Sequence, residues 1–319
     1  MVELVAESGT DPASVVVCVM DADGRLSDGA LGHVLPLFAD PRVGGAQLIV
    51  RIRNRERLLG LIQDVEFYGM TATSQIGRTR TGTVSLGGNG QFTRLTALTD
   101  LGRPPWTASL TEDLDLTISL LTAGWVLTST PRAHVTQQGV ERLRPLLRQR
   151  TRWYQGHMTC GGRLPEIWRS VPMSNGAVLE LTAYLAVPWV LVLPWSVLFH
   201  VGLWQTYQAI EVQGWSAFGG SALGQGVGVV LWYLLIFFPS IVSGFVYFRR
   251  ARGRTLVRSL VLAHLLIPAA YVSYAAAWLA LARMMRGQTG WVKTQRSQEV
   301  GAPATAGHHL ATPTTKENP

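Results

Sequence analysis

Three short motifs carry residue types that could do chemistry together: Asp21-Ala22-Asp23 after an apolar run, Thr111-Glu112-Asp113, and Gln149-Arg150-Thr151-Arg152-Trp153. Two carboxylates one residue apart at a strand end offer hard oxygen ligands to Mg²⁺ or Mn²⁺, cations that bridge phosphate oxygens. The same string is also ordinary turn chemistry, because Asp-Gly favours turns. Acidic residues in the first turn of a helix complement its dipole, and a carboxylate held there suits a general base that removes a proton from an acceptor hydroxyl. In the third motif a guanidinium able to pair with a diphosphate stands beside an indole able to stack on a sugar ring. A basic helix at a membrane surface would carry those residues too.

The elements that must position these motifs read as an alternating α/β chain. Residues 15–20 (VVVCVM) form a continuous, β-branched apolar run, which predicts a buried strand delivering Asp21 and Asp23 at its carboxyl end. A short helix is expected over 30–39, a strand over 47–52, a long amphipathic helix over 56–76 and a strand over 83–86 running into Gly87-Gly88-Asn89-Gly90. Thr111 is a plausible N-cap for a helix over 112–123, with Gly124 at its C-terminal end and a strand over 125–130. Such alternation places ligands at the carboxyl ends of strands.

The chain of 319 residues is 47% hydrophobic and 15% charged, too apolar for an ordinary soluble pair of domains. Its net charge of +8 is nearly all arginine, since Lys occurs only at 293 and 316, and the arginines cluster beside hydrophobic segments. That placement favours anionic lipid or phosphorylated ligands over nucleic acid. Cys18 and Cys160 make neither a metal spacing nor a disulfide framework, which fits a reducing, cytosol-facing compartment. His33, His134 and His157 show no ligand spacing and read as core or surface residues.

A partial catalytic domain over 1–162, including a basic interfacial helix over 141–154, is expected to precede a membrane domain over 163–300 and a disordered tail over 301–319. Apolar stretches at 178–202, 226–248 and 256–282 are each long enough for a bilayer core of roughly 30 Å. The 203–225 connection has no Lys or Arg, whereas Arg249, Arg250, Arg252, Arg254 and Arg258 follow the second stretch, so the positive-inside rule puts the catalytic part in the cytosol. Arg283, Arg286, Lys293 and Arg296 favour the same side, so part of the third stretch, which contains Pro268, is expected to re-enter or lie in the interface. Residues 1–12 carry Glu3, Glu7 and Asp11 rather than a signal-like pattern, and insertion is expected from the later segments.

The three motifs in this order, the third running into membrane segments, resemble the membrane-integrated inverting glycosyltransferases of family 2, the group of cellulose, hyaluronan, chitin and poly-N-acetylglucosamine synthases. The resemblance covers about residues 15–296, including Trp291-Val292-Lys293-Thr294-Gln295-Arg296, which is similar to a cytosolic segment near the family's active-site entrance. It implies a partial GT-A-like α/β domain with a Rossmann-related sheet, followed by an α-helical membrane domain. Asp21 and Asp23 would then hold Mg²⁺ or Mn²⁺ and the donor diphosphate, with Arg152 sharing that charge. Asp113 would be the catalytic base. Trp153, Gln149, Asn89, Gly90 and Glu112 would line the acceptor side.

The implied reaction is inverting transfer of a hexose or N-acetylhexosamine from a nucleotide sugar, a UDP-sugar by expectation, to a polysaccharide or lipid-linked acceptor at the cytosolic membrane face. The family's opening strand, Pro-x-x-Asn-Glu-like turn and further acidic residues have no counterpart before Val15, and fourteen residues fall short of the roughly 30 of a βαβ unit. The expectation is therefore a chain lacking part of its donor pocket, through truncation, degeneration or a gene split that leaves the missing half to a separate partner chain. A non-catalytic membrane subunit stays open as an alternative. So does a haloacid-dehalogenase-like phosphatase, which the same Asp-x-Asp-Gly fits but which usually needs a downstream Lys.

Overall fold

The computed structural model describes residues 2–290 except Arg252 and Arg254. The 291–296 segment and the 301–319 tail lie outside the described residues.

A five-stranded mixed sheet organises the first half of the chain. Its strands are β1 (Val16–Val19), β2 (Arg25–Leu26), β3 (Val43–Ile52), β4 (Gln91–Arg94) and β5 (Val126–Gln137), in the order β1-β4-β3-β5-β2. β4 runs antiparallel to both β1 and β3, and β3 is parallel to β5. Hence β1, β3 and β5 point the same way, and their carboxyl ends form one edge of the sheet. β3 is apolar almost throughout, with Ala46, Leu48, Ile49 and Ile52 at most 1% exposed, because both faces of the sheet are covered. On one face the Glu112–Thr122 helix buries Leu116, Ile118 and Leu120 with Val84 and Leu127. On the other, Val34 and Phe38 pack on Leu48, Phe92 and Val135.

The architecture is the expected one, a partial GT-A-like α/β domain followed by a helical membrane region. One local expectation is corrected. Residues 83–86 are not a strand but an extended segment with an isolated bridge from Thr83 to Leu127. Its amides are met irregularly, Leu86 N–H by Thr117 Oγ1 at 2.9 Å and Gly87 N–H by Gln47 Oε1 at 2.7 Å. Thr111 takes the expected N-cap position of the Glu112–Thr122 helix, without a side-chain capping hydrogen bond. Its side chain instead faces Gly156, as described below. The expected 56–76 helix is realised as Leu58–Asp64, a π-helical stretch Val65–Thr71 and Ala72–Arg78 in succession.

Three segments are long and apolar enough to cross a membrane: Asn175–Phe218, Ala222–Arg250 and Leu256–Met285. The third is two helices, Leu256–His264 and Leu266–Met285, meeting at Leu265. Pro268 lies in the first turn of the second helix, where a missing N–H costs no intrahelical bond.

The catalytic-type domain is bolted to these helices by buried polar contacts. Arg78 pairs with Glu180 at 2.8 Å and lies 3.9 Å from the centre of the Tyr184 ring. Asp64, fully buried, accepts the Ile52 N–H at 2.9 Å and the Tyr247 hydroxyl at 2.7 Å, joining the end of β3 to the Ala222–Arg250 helix.

Candidate active site

The carboxyl edge of the sheet gathers the first motif. β1 ends at Val19, and Asp21 and Asp23 lie in the turn that follows, closed by Gly24 N–H donating to the Asp21 carbonyl at 2.8 Å. The Asp23 carboxylate accepts the Gln138 N–H at 2.9 Å, just past β5, and Arg53, just past β3, donates to the Asp23 carbonyl at 2.7 Å. Three strand ends thus hold one acidic turn.

The glycine loop closes over this edge. Gln47, buried on β3, donates to the Asn89 carbonyl at 2.7 Å and accepts the Gly87 N–H at 2.7 Å, so one amide side chain grips both ends of Gly87–Asn89. Asn89 donates to Gln137 Oε1 at 3.0 Å, and its own Oδ1 is buried without a hydrogen-bond partner. That oxygen presses on Gly24, where a Cβ would collide with it. Gly90 has φ +74°, a left-handed conformation that suits glycine. Arg94, by contrast, is committed to structure: it donates to the carbonyls of Val43, Ala13, Phe38 and Asp40.

Asp113 enters from the first turn of its helix and meets this loop. Its carboxylate accepts the Leu114 N–H at 2.8 Å and the Gly88 N–H, with Arg152 close enough to act on it electrostatically. Burial, reinforced by neighbouring Glu112, nevertheless pushes its pKa up to about 6, against the opposing pull of the two amides and Arg152. Asp113 is poised near neutrality, ionised at pH 7 yet a competent proton acceptor.

The third motif lies on the Leu143–Cys160 helix. Gln149 is buried, Arg152 faces Asp113, and Trp153 lies against Phe67 and Arg150. The helix reaches Asp113's motif at Gly156, where a Cβ would stand 2.5 Å from Thr111 Cγ2 and Oγ1. Residues that the motif reading passed over, Gln47, Glu66, Phe67, Arg150 and Gly156, prove to hold the motif residues in place. A lone buried amide in the apolar run of β3 was the one sequence signal for Gln47.

Among the described residues no three His, Cys, Asp or Glu side chains converge as a metal cage. The two carboxylates of Asp21 and Asp23 still fit Mg²⁺ or Mn²⁺, because such ions are commonly held by one or two carboxylates plus substrate phosphates and water. A cation here would bind with the diphosphate rather than in a site built by protein alone.

A mixed α/β sheet whose carboxyl edge carries Asp-x-Asp, facing an acid at a helix start and an Arg-Trp helix that leads into apolar helices, is the arrangement of a GT-A-like glycosyltransferase domain joined to a helical membrane region. Residues 16–287 match the family described as "Glycosyl transferase family group 2", and the chain belongs to that family. It is 31% identical over 219 residues to a beta-monoglucosyldiacylglycerol synthase of Synechocystis sp. (strain ATCC 27184 / PCC 6803 / Kazusa), covering 64% of this chain and 45% of that protein. The synthase of the same name from Trichormus variabilis is 33% identical over 143 residues, 44% of this chain and 30% of the relative. A poly-beta-1,6-N-acetyl-D-glucosamine synthase of Staphylococcus aureus (strain COL) is 32% identical over 145 residues, 44% and 34% of the two chains. The chain thus spans less than half the length of these curated relatives.

Proposed function

We propose that the protein transfers a hexose or N-acetylhexosamine from a nucleotide sugar, a UDP-sugar by preference, to an acceptor hydroxyl at the cytosolic membrane face, with inversion at the anomeric carbon. The observation that carries this reading is Asp113, fixed by the Leu114 and Gly88 amides, facing Arg152 and tuned to a pKa of about 6. Its carboxylate takes the acceptor proton as the acceptor oxygen attacks the anomeric carbon, and the bond from that carbon to the diphosphate oxygen breaks. Arg152 shares the charge on the departing diphosphate. Asp21 and Asp23 would hold a Mg²⁺ or Mn²⁺ ion, which when bound supplies further neutralisation of that leaving group. Asn89, Gly90, Glu112, Gln149 and Trp153 line the acceptor side in this reading.

A lipid-linked acceptor is the preferred reading over a growing polymer. In the three candidate spans no more than 33% of the apolar window is buried, so most of that apolar surface is left uncovered by this chain. The beta-monoglucosyldiacylglycerol synthases among the relatives support the same choice. The division into a catalytic part over 1–162 and a membrane part over 163–300 belongs to this proposal, as does its topology. Arg250 donates to the Tyr68 carbonyl and Arg283 to Gln155 Oε1, which supports a third segment that leaves and returns on the catalytic side.

The test is incubation of the purified protein in lipid nanodiscs with radiolabelled UDP-glucose or UDP-N-acetylglucosamine and either dioleoylglycerol or an N-acetylglucosamine oligomer. A single labelled glycolipid, lost in chelator and restored by Mn²⁺ or Mg²⁺, is expected. Full activity in chelator removes the Asp21/Asp23 role, and a labelled ladder replaces single addition with polymerisation. Absence of both transfer and UDP binding supports a non-catalytic subunit, and phosphate release without transfer supports the phosphatase.

A further inference from the structure

Of the five arginines at 142, 144, 148, 150 and 152, Arg150 alone is buried. An arginine is taken out of water only where its charge and donors are met. Here Nη1 and Nη2 donate to Glu66 Oε1 and Oε2 at 2.7 and 2.8 Å, a two-pronged pair across 84 residues of sequence. The same guanidinium lies 4.7 Å from the centre of the Trp153 ring and 5.4 Å from that of Phe67. Phe67 meets Trp153 edge-on, with centroids 6.2 Å apart and planes at 80°. The indole is therefore held by a cation and by a ring edge, both geometries that favour one orientation.

Phe67, which meets the indole, and Glu66, which holds Arg150, are consecutive on the π-helical stretch Val65–Thr71, and that stretch is seated on the Ala222–Arg250 helix. A Cβ on Gly69 would stand 2.7 Å from Ser243 Oγ, and Val65 packs with Tyr247. Widened helical turns of this kind recur at functional sites. The membrane helix sets the π turn, Glu66 in that turn sets Arg150, and Arg150 with Phe67 sets the plane of Trp153.

We propose that Glu66 and Arg150 are positioning residues that fix the Trp153 indole for acceptor binding, a role that rests on the acceptor-side reading of Trp153 above. A lysine at 150 keeps the charge but loses the planar fork, so it cannot hold both carboxylate oxygens and lie flat on the ring.

The experiment uses Arg150→Lys, Arg150→Gln, Glu66→Gln and the double variant Glu66→Gln/Arg150→Gln, with the full chain in nanodiscs. Acceptor KM for dioleoylglycerol or the N-acetylglucosamine oligomer, whichever the wild type uses, is expected to rise about tenfold while donor KM stays within about twofold. The double variant is expected to be no worse than the worse single one, because both break one unit. Fluorine NMR of 5-fluorotryptophan protein, with the Trp153 resonance assigned from Trp153→Phe, reads the ring directly. One narrow line is expected in the wild type, and a shifted or broadened line in each variant. An unchanged Trp153 line in folded variants overturns the proposal, as does a parallel loss in donor and acceptor constants. Should the wild type transfer no sugar at all, the functional reading fails separately, and the fluorine spectrum still decides the positioning role.

Discussion

Thr111 and Gly156 meet so closely that a single methyl group cannot fit between them: a Cβ on Gly156 would lie 2.5 Å from both Thr111 Cγ2 and Thr111 Oγ1. This contact registers the helix carrying Arg152 and Trp153 against the helix start carrying Asp113. Gly156→Ala is expected to push the two apart, costing about 1–3 kcal/mol of stability and at least tenfold in kcat. Assay of Gly156→Ala beside Gly162→Ala, a nearby glycine with open space around it, checks the claim, because only the first should lose activity.

Asp113 gives a pH dependence of stated sign. With a folded pKa of about 6, above the usual aspartate value of 3.8, the folded state holds the proton more tightly, so this group lowers stability as pH rises from about 4 to about 6. The cost above pH 6 is on the order of 3 kcal/mol. Asp113→Asn is therefore expected to melt higher than wild type at pH 7.5, with the advantage gone below pH 4. The transfer rate of the wild type should fall as pH drops through about 6, and a rate profile flat from pH 5 to 8 would remove the base assignment.

Gln47 controls the loop that touches Asp113. Gln47→Leu strands the Gly87 N–H and the Asn89 carbonyl, and two orphaned groups cost on the order of 2–5 kcal/mol. Gln47→Glu keeps the acceptor for Gly87 but turns a buried carboxylate oxygen on the Asn89 and Leu48 carbonyls that Gln47 now donates to, so it is expected to lose at least as much as Leu. Melting temperature and transfer rate of both variants check the claim, and wild-type values in either would remove Gln47 from the loop's control.

Tyr247→Phe removes the hydroxyl that the membrane helix gives to buried Asp64. The carboxylate keeps the Ile52 N–H at 2.9 Å, with Arg51 and Arg55 further off at 3.8 and 3.7 Å. A loss of about 1–3 kcal/mol is expected, read as a lower denaturation midpoint in detergent. No change would mean that the polar joint between the sheet and the helix contributes little.

How far the fold was legible depended on whether a segment's signal was its own. β1 and the Glu112–Thr122 helix could be read because a β-branched run and an acidic first turn are local patterns. β4 could not: Gln91, Thr93 and Arg94 are polar yet buried, since Arg94 is met by four backbone carbonyls from distant segments. Residues 83–86 misled in the opposite sense: Val84 and Leu86 are buried, yet the segment makes only an isolated bridge to β5, and the Thr117 and Gln47 side chains meet the Leu86 and Gly87 amides. In the site, the motifs named Asp113, Arg152 and Trp153, whose types are chemical. Gln47, Gly156 and the Glu66–Arg150 pair act through contacts across 40 or more residues, which spacing in a single sequence does not reveal.

The most direct measurement is sugar transfer and nucleotide binding on the same preparations of wild type and Asp113→Asn, using radiolabelled UDP-sugar for the first and calorimetry with UDP and Mn²⁺ for the second. The account predicts that the variant binds UDP with wild-type affinity while transfer falls by at least a hundredfold, the loss expected when a general base is removed. A variant that binds UDP normally and still transfers sugar near the wild-type rate would contradict it.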